Sequence, residues 1–420
     1  MNLARTLLLL LLPAISASAQ TIPANARYVM SHFTNTAEKL FISTSPDGFT
    51  WTSLTGSSPA WEPPGAAPFW NVVRDPAIIH ENGWYWVAFT SGNYGLHTAF
   101  GLVKSQDLVN WTYLGNIQIP VPGATSSNLT WNPCWFRDGD GSVRLFISIA
   151  LQSVSYGPNP HMKTYVTQPV NADWTAWATP VPLALPDFNT NEFFCWKEGT
   201  TYHGIYVDFQ YGGAWKHVTS TNLITGWTAD KILNFNSKEG GMMLKKPGGG
   251  YRFYIEYGNG ATTIGYRWSD CTDSFNSFTP ETAVIADTET RNGKMILLPG
   301  ATSFPAWAAA NTPASPALLD DPDKDGLPNM LEALLGENPT AWEPAPQPYL
   351  APGGQIALKY KRTLRFSGLA LEPEAASALP SFAPLAPTSR TMMTDGTELI
   401  EARLPAGSSG FLRLKAVQSP

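Results

Sequence analysis

One unit recurs five times in the first two thirds of this chain: a short strand-like run, a polar turn carrying Asp or Asn, then an aromatic residue followed by a polar one. The copies span residues 40–51 (LFISTSPDGFTW), 101–111 (GLVKSQDLVNW), 165–167 with Trp174, 217–227 (HVTSTNLITGW) and 266–270 with Phe275. Between them lies a second recurring element, a turn followed by an alternating aromatic run, at 81–89, 140–147, 198–206 and 249–256. Period-2 alternation, β-branched and aromatic residues and Gly-bearing turns predict strands and hairpins. Helical periodicity is almost absent before residue 325. The aromatic recurs at spacings of 60, 63, 53 and 48 residues, periods that suggest a radially or linearly repeated unit. We expect an all-β fold, a five-bladed β-propeller over residues 20–305, whose closure leaves few open edges. The run around 294–297 is expected to share a sheet with 27–30.

Composition limits the partners of such a fold. Charged residues make up 14% of the chain and aromatic ones 12%, with 16 Trp, so a packed interior rather than disorder is expected. The net charge is −6 and no Lys/Arg cluster is present, which gives nucleic acid no footing. At the N-terminus, Arg5, the apolar run 7–12 and Ala17-Ser18-Ala19 read as a signal peptide over residues 1–19, and so as export to a secreted or periplasmic location. No run is long and apolar enough to predict a membrane span. Three cysteines, Cys134, Cys195 and Cys271, make no disulfide framework and are expected to be small buried hydrophobes.

Superposing the copies aligns one position ahead of each second element: Asp75 in RDPAII, Asn132 in WNPCWF, Glu192 in NEFFCW, Glu239 in KEGGMM and Asn292 in RNGKM. If these residues open the innermost strand of each blade, three carboxylates converge on one mouth of the axial channel. Convergent acids raise one another's pKa, a cost that proton transfer or cation binding explains better than strand capping does. An acid and a base with carboxyls about 6.5–9.5 Å apart suit glycosidic bond cleavage with inversion.

These segments resemble glycoside hydrolase family 43, five-bladed propellers that cleave arabinose- and xylose-containing plant polysaccharides by inversion. The resemblance spans roughly residues 27 to 300. It implies that Asp75 is the general base, Glu239 the general acid, and Glu192 the residue that tunes the acid and orients substrate. Segment 131–136 resembles the family's Trp-Ala-Pro-Asp/Glu segment, with Cys134 at its acidic position. Glu192 stands where the family commonly has Asp, and Asn292 where it has a His that helps hold a metal or water on the axis. His32, Trp70, Trp131, Asn132, Arg291 and Asn292 are the candidate substrate-binding residues, and Trp135 and Trp196 flank the acid-bearing segments. No cofactor is expected for catalysis, and the expected partner is a plant-type polysaccharide or oligosaccharide. Families 32 and 68, fructan and sucrose hydrolases, share Arg-Asp-Pro but need an upstream nucleophilic Asp. The only Asp between residues 21 and 74 is Asp47, which lies in a repeat turn. A lectin-like propeller that binds sugars without cleaving them is the reading from another class.

Residues 303–320 turn to Ala, Pro and Ser, as in a linker. Next comes DPDKDGLPNMLE, with Asp321, Asp323 and Asp325 at calcium-loop positions 1, 3 and 5 and Gly326 at 6. The Leu327 carbonyl follows at 7, Asn329 at 9 and Glu332 at 12. The loop resembles the Asp-rich calcium segments of dockerins and thrombospondin type 3 repeats. A short exiting helix is expected to stop at Gly336. The predicted divisions are thus a linker with calcium loop and helix over 306–344, and a small β-rich module over 345–420 with strands near 355–360, 398–403 and 410–415. That module could serve attachment to a cell surface, a protein partner or a glycan.

Overall fold

The computed structural model describes residues 22–418, apart from 24, 65–71, 92–98, 122–128, 151–161, 188, 209–212, 236–238, 258–264, 301–303, 313, 365 and 367–368. The expected signal peptide and Trp70 lie outside the described residues. Among the described residues, the chain up to Leu297 folds into five sheets, antiparallel except for the parallel pairing of one short edge strand in the first. The first is built on β1 (Tyr28–Phe33), β2 (Phe41–Ser45) and β3 (Thr50–Ser53). The second holds β4 (Val73–Glu81), β5 (Trp84–Ser91), β6 (Ala99–Ser105) and β7 (Thr112–Gln118). The third holds β8 (Leu129–Arg137), β9 (Val143–Ala150), β10 (Met162–Thr167) and β11 (Val181–Pro182). The fourth holds β12 (Thr190–Glu198), β13 (Thr201–Asp208), β14 (Ala214–Ser220) and β15 (Thr228–Leu233). The fifth holds β16 (Glu239–Lys245), β17 (Tyr251–Tyr257), β18 (Gly265–Cys271) and β19 (Thr282–Ala283). The chain then rejoins the first sheet. β20 (Ile285–Ala286) pairs with β3 and β21 (Arg291–Leu297) with β1, in the register Lys294 to Ser31 and Leu297 to Tyr28.

Strands β21, β4, β8, β12 and β16 each lie at one end of their sheets and neighbour one another in a closed, propeller-like ring. Strand alternation sends each sheet's two faces into different interfaces. On β5, Trp86 and Ala88 join the cluster with the third sheet, while Tyr85, Val87 and Phe89 join the one with the first. Three further clusters fill the third–fourth, fourth–fifth and fifth–first interfaces. Fully burying a large apolar side chain contributes on the order of 1.5–3 kcal/mol. The aromatic richness of the sequence is therefore spent between sheets, and Cys134, Cys195 and Cys271 are buried free thiols there.

The repeated turn has a local cause. Asp47 Oδ1 accepts the N–H groups of Phe49 and Thr50, Asp107 Oδ1 those of Val109 and Asn110, and Asn222 Oδ1 those of Ile224 and Thr225. The indole N–H of Trp51 closes the turn on the Gly48 carbonyl at 3.0 Å, and that of Trp111 on Leu108 at 3.2 Å. In the third copy it is Trp177 that donates, to Trp174 O at 2.8 Å. Trp174 and Phe275, the aromatics that the sequence pattern singles out, instead hold the positive-φ position also taken by Gly48 and Leu108. The equivalents of Trp51 are thus Trp177 and Phe278, three residues further on.

Helices α1 (Phe304–Asn311) and α2 (Asn329–Leu335) follow the propeller-like ring. Part of the segment expected to be a linker is therefore helical. Phe304, Ala308, Leu327 and the α2 residues Ala333, Leu334 and Leu335 share one core with Leu358, Tyr360, Leu371 and Ile400. The left-handed Gly336, φ 76°, ends α2 as expected. Two small sheets complete this module. One orders β22 (Pro348–Leu350), β23 (Ile356–Thr363), β27 (Thr397–Arg403) and β26 (Ser389–Met392), and the other β25 (Ala383–Pro384), β24 (Leu369–Ala376) and β28 (Phe411–Gln418). The module docks on the C-terminal ends of the inner strands. Thr394 N donates to Lys245 O at 2.9 Å, Thr391 Oγ1 to Lys197 O at 2.9 Å, and Arg390 Nε to Gly139 O at 3.2 Å.

Candidate active site and calcium loop

Each inner strand breaks register near its start, and one residue there takes φ > 0: Asp75 (47°), Asn132 (51°), Glu192 (57°), Gly240 (74°) and Asn292 (46°). This is the geometry of a β-bulge, which re-aims a side chain. For non-glycine residues it costs on the order of 1 kcal/mol or more, and it persists only where the surroundings enforce it. The five bulge positions confirm a repeated layer but shift one of its members. Glu239 stands one residue before the bulge, level with Arg74, Trp131, Asn191 and Arg291. The acid-by-acid superposition misses this because the backbone assigns the left-handed conformation to Gly240.

A hydrogen-bonded ring ties the layer together. Asp75 Oδ1 accepts from Asn292 Nδ2 at 2.6 Å and Oδ2 from Thr90 Oγ1 at 2.9 Å, while Thr90 Oγ1 accepts from Asn132 N at 3.0 Å. Asn292 Nδ2 also lies 3.4 Å from Asn132 Oδ1, and Asn132 Nδ2 donates to Asn191 Oδ1 at 3.0 Å. Between the neighbouring strands β16 and β12, Gly240 N donates to Glu192 Oε2. Glu192 is 4% exposed, and burial together with the neighbouring Glu239 holds its carboxyl well above the usual range.

Glu239 sits at the lip, with its side chain 43% exposed. A carboxyl set in a concave mouth is surrounded by protein volume while still touching water. Burial, then Glu256, push it up to about 7, against the pull of Arg291. Arg291 Nη2 donates to Glu239 Oε2 at 3.2 Å, and its Nε donates to Glu256 Oε1 at 2.9 Å. Glu256, paired with Glu239 across β16 and β17, also accepts from Asn292 N at 2.8 Å. The sequence reading passes over Glu256 and Thr90. A charged residue near the end of the otherwise aromatic 251–257 run is the one signal that marks Glu256.

The other expected substrate-binding residues divide. Asn132 and Asn292 belong to the ring, Arg291 stands beside it on Glu239 and Glu256, and Trp131 is half-buried and packs against Ala150 and Met162. His32 is fully enclosed: Nε2 bonds to Ser43 Oγ at 2.8 Å, the ring stacks on Phe41, and burial lowers its pKa to about 4. It therefore does not line the mouth. Trp135 and Trp196 also face inter-sheet cores, with Trp135 Nε1 on Ala77 O at 2.8 Å and Trp196 stacked on His203.

In the C-terminal module, one oxygen from each of Asp321, Asp323 and Asp325 lies within 4.8 Å of the others. Asp321 Oδ1, Asp323 Oδ2, Asn329 Oδ1 and Glu332 Oε2 are buried oxygens with no hydrogen-bond partner, and Asn329 and Glu332 are 0% and 1% exposed. Burial and the three aspartates push the Glu332 carboxyl up to about 7. Orphaned buried oxygens crowded with like charge fit a hard cation.

No protein-family model matches the chain, and no curated protein matches it. Among solved structures it is similar to an endo-arabinase from Bacteroides thetaiotaomicron VPI-5482 (16% identity, TM-score 0.46, covering 60% of this chain and 97% of that one). It is also similar to an α-L-arabinofuranosidase from Clostridium thermocellum ATCC 27405 (14%, 0.43, covering 59% and 83%). A third is the α-L-arabinofuranosidase from Podospora anserina (11%, 0.42, covering 85% and 98%).

Proposed function

We propose that this protein is an exported, inverting glycoside hydrolase acting on arabinose- or xylose-bearing glycans of plant type, with the five sheets as propeller blades. The observation that carries the reading is the contrast between two carboxyls at one mouth. Glu239, raised to about 7, keeps a proton to give near neutral pH. Asp75 is oriented by Asn292 and Thr90. Pairs whose environments separate their roles are the signature of acid–base catalysis. In the single displacement, Asp75 takes a proton from water as that water attacks the anomeric carbon, and Glu239 protonates the departing oxygen. Glu192, held by Gly240 N–H, orients substrate and tunes the acid. Arg291 bridges Glu239 and Glu256 and so fixes where the acidic proton is presented.

The loop 321–332 would hold Ca²⁺ through Asp321, Asp323, Asp325, Leu327 O, Asn329 and Glu332. Bound there, the ion would neutralise the crowded carboxylates and pin α2 to the module, apart from the chemistry. The test is hydrolysis of a panel of aryl arabinosides, xylosides and galactosides, with the released sugar followed by NMR. Turnover of the pentosides with inverted anomeric configuration is expected. Net retention would overturn the mechanism, and sugar binding without turnover would favour the lectin reading.

A further inference from the structure

Below the ring of Asp75, Asn132 and Asn292, the lower halves of the five inner strands enclose a second chamber of about 670 Å³, whose far side is formed by the C-terminal module. Its charged lining is unbalanced: Lys294, Arg137, Arg362 and Arg390 face only Glu81 and Glu398. Arg137 pairs with Glu81, and Arg362 with Glu398. Arg390 lies 3.9 Å from that same Glu398. Lys294 is 9% exposed, and among the described residues its ammonium has no hydrogen bond and no carboxylate within ion-pair distance, although its charge is felt by the Glu192 carboxyl. Glu192, across the ring, engages Gly240 N–H instead. Arg362 Nε is likewise buried without a partner.

A buried cation without a close ion-pair partner is expensive, and one guanidinium donor left open beside it compounds the cost. Two positive charges in excess, with free donors converging from the propeller side and from the module side, make a receptor for negative charge. Guanidinium groups favour planar or tetrahedral oxyanions. We propose that the chamber binds a small dianion, a phosphate monoester or a dicarboxylate, with Lys294, Arg362 and Arg390 as its cationic contacts. The bound anion joins the propeller-like ring to the module, because Lys294 belongs to β21 and the two arginines to β23 and β26. This site is separate from the proposed catalytic mouth and does not depend on that assignment.

The test is isothermal titration of the full chain with inorganic phosphate and with succinate, against chloride at matched ionic strength. We expect saturable one-to-one binding of at least one of them. Binding should weaken by about tenfold or more in Lys294→Met and in Arg390→Gln, and stay unchanged in Lys231→Met on the outer strand β15. Preference for phosphate or for succinate identifies which oxyanion the chamber takes. Absence of saturable binding by both anions, or binding untouched by the inner substitutions, would overturn the proposal. Should Lys294→Met fail to fold, Arg390→Gln decides alone.

Discussion

Replacing Glu239 with Gln keeps the shape of the mouth and an acceptor for Arg291 but removes the proton that the mechanism delivers. With the carboxyl at about 7, roughly nine tenths of the wild-type protein carries that proton at pH 6 and roughly one tenth at pH 8. The alkaline limb of kcat/KM should therefore fall near pH 7 in the wild type and vanish in the variant. A positioned general acid contributes about 10²–10⁴-fold, or about 3–5 kcal/mol. That contribution is needed only when the leaving oxygen is basic. The assay compares a sugar or unactivated aryl leaving group with a dinitrophenyl one on the same arabinoside. A loss of about 10²–10⁴-fold is expected on the first and less than about tenfold on the second. Equal losses on both, or an alkaline limb that survives in the variant, would refute the assignment of Glu239 as acid.

Glu256→Gln removes the negative neighbour that raises Glu239 while leaving acceptors for Arg291 and Asn292, so the alkaline limb should move to lower pH in a pH–rate profile. Gly240→Ala should cost about 1–2 kcal/mol in denaturant unfolding, because φ is 74° and a Cβ would meet Asn292 Oδ1 at 3.0 Å and Glu256 Cβ at 3.1 Å. Gly248→Ala, at φ 82° with nothing within 4 Å, gives the backbone part of that cost alone. Asp323→Ala should abolish calcium-dependent protection of residues 304–336 against proteolysis and leave aryl glycoside turnover nearly unchanged. A matching fall in turnover would tie the loop to the mouth.

The sheets were legible because their causes are local. Asp47, Asp107 and Asn222 cap their own turns, and the alternation of residues such as Trp86 and Val87 already says that both faces of a sheet are covered. The stop at Gly336 was readable for the same reason, and the return of 294–297 to the first sheet followed from the closure that a radial repeat requires. The clustering of Asp321, Asp323 and Asp325 is equally local, since the three lie within five consecutive residues. What the tertiary structure decided is everything that depends on register and on chains meeting from afar. A bulge moves a side chain by one pleat, so only the fold could place Gly240 rather than Glu239 in the ring and move the repeat aromatic from Trp174 to Trp177. Glu256 became part of the site because β17 lies against β16, and His32 left it because β1 turns its ring toward Ser43 and Phe41. The Ala- and Pro-rich 303–320 segment reads as a linker in isolation, yet part of it forms α1, because Phe304 and Ala308 find an apolar surface that only the later strands create. Burial and charge act through space, and sequence alone records only what lies along the chain.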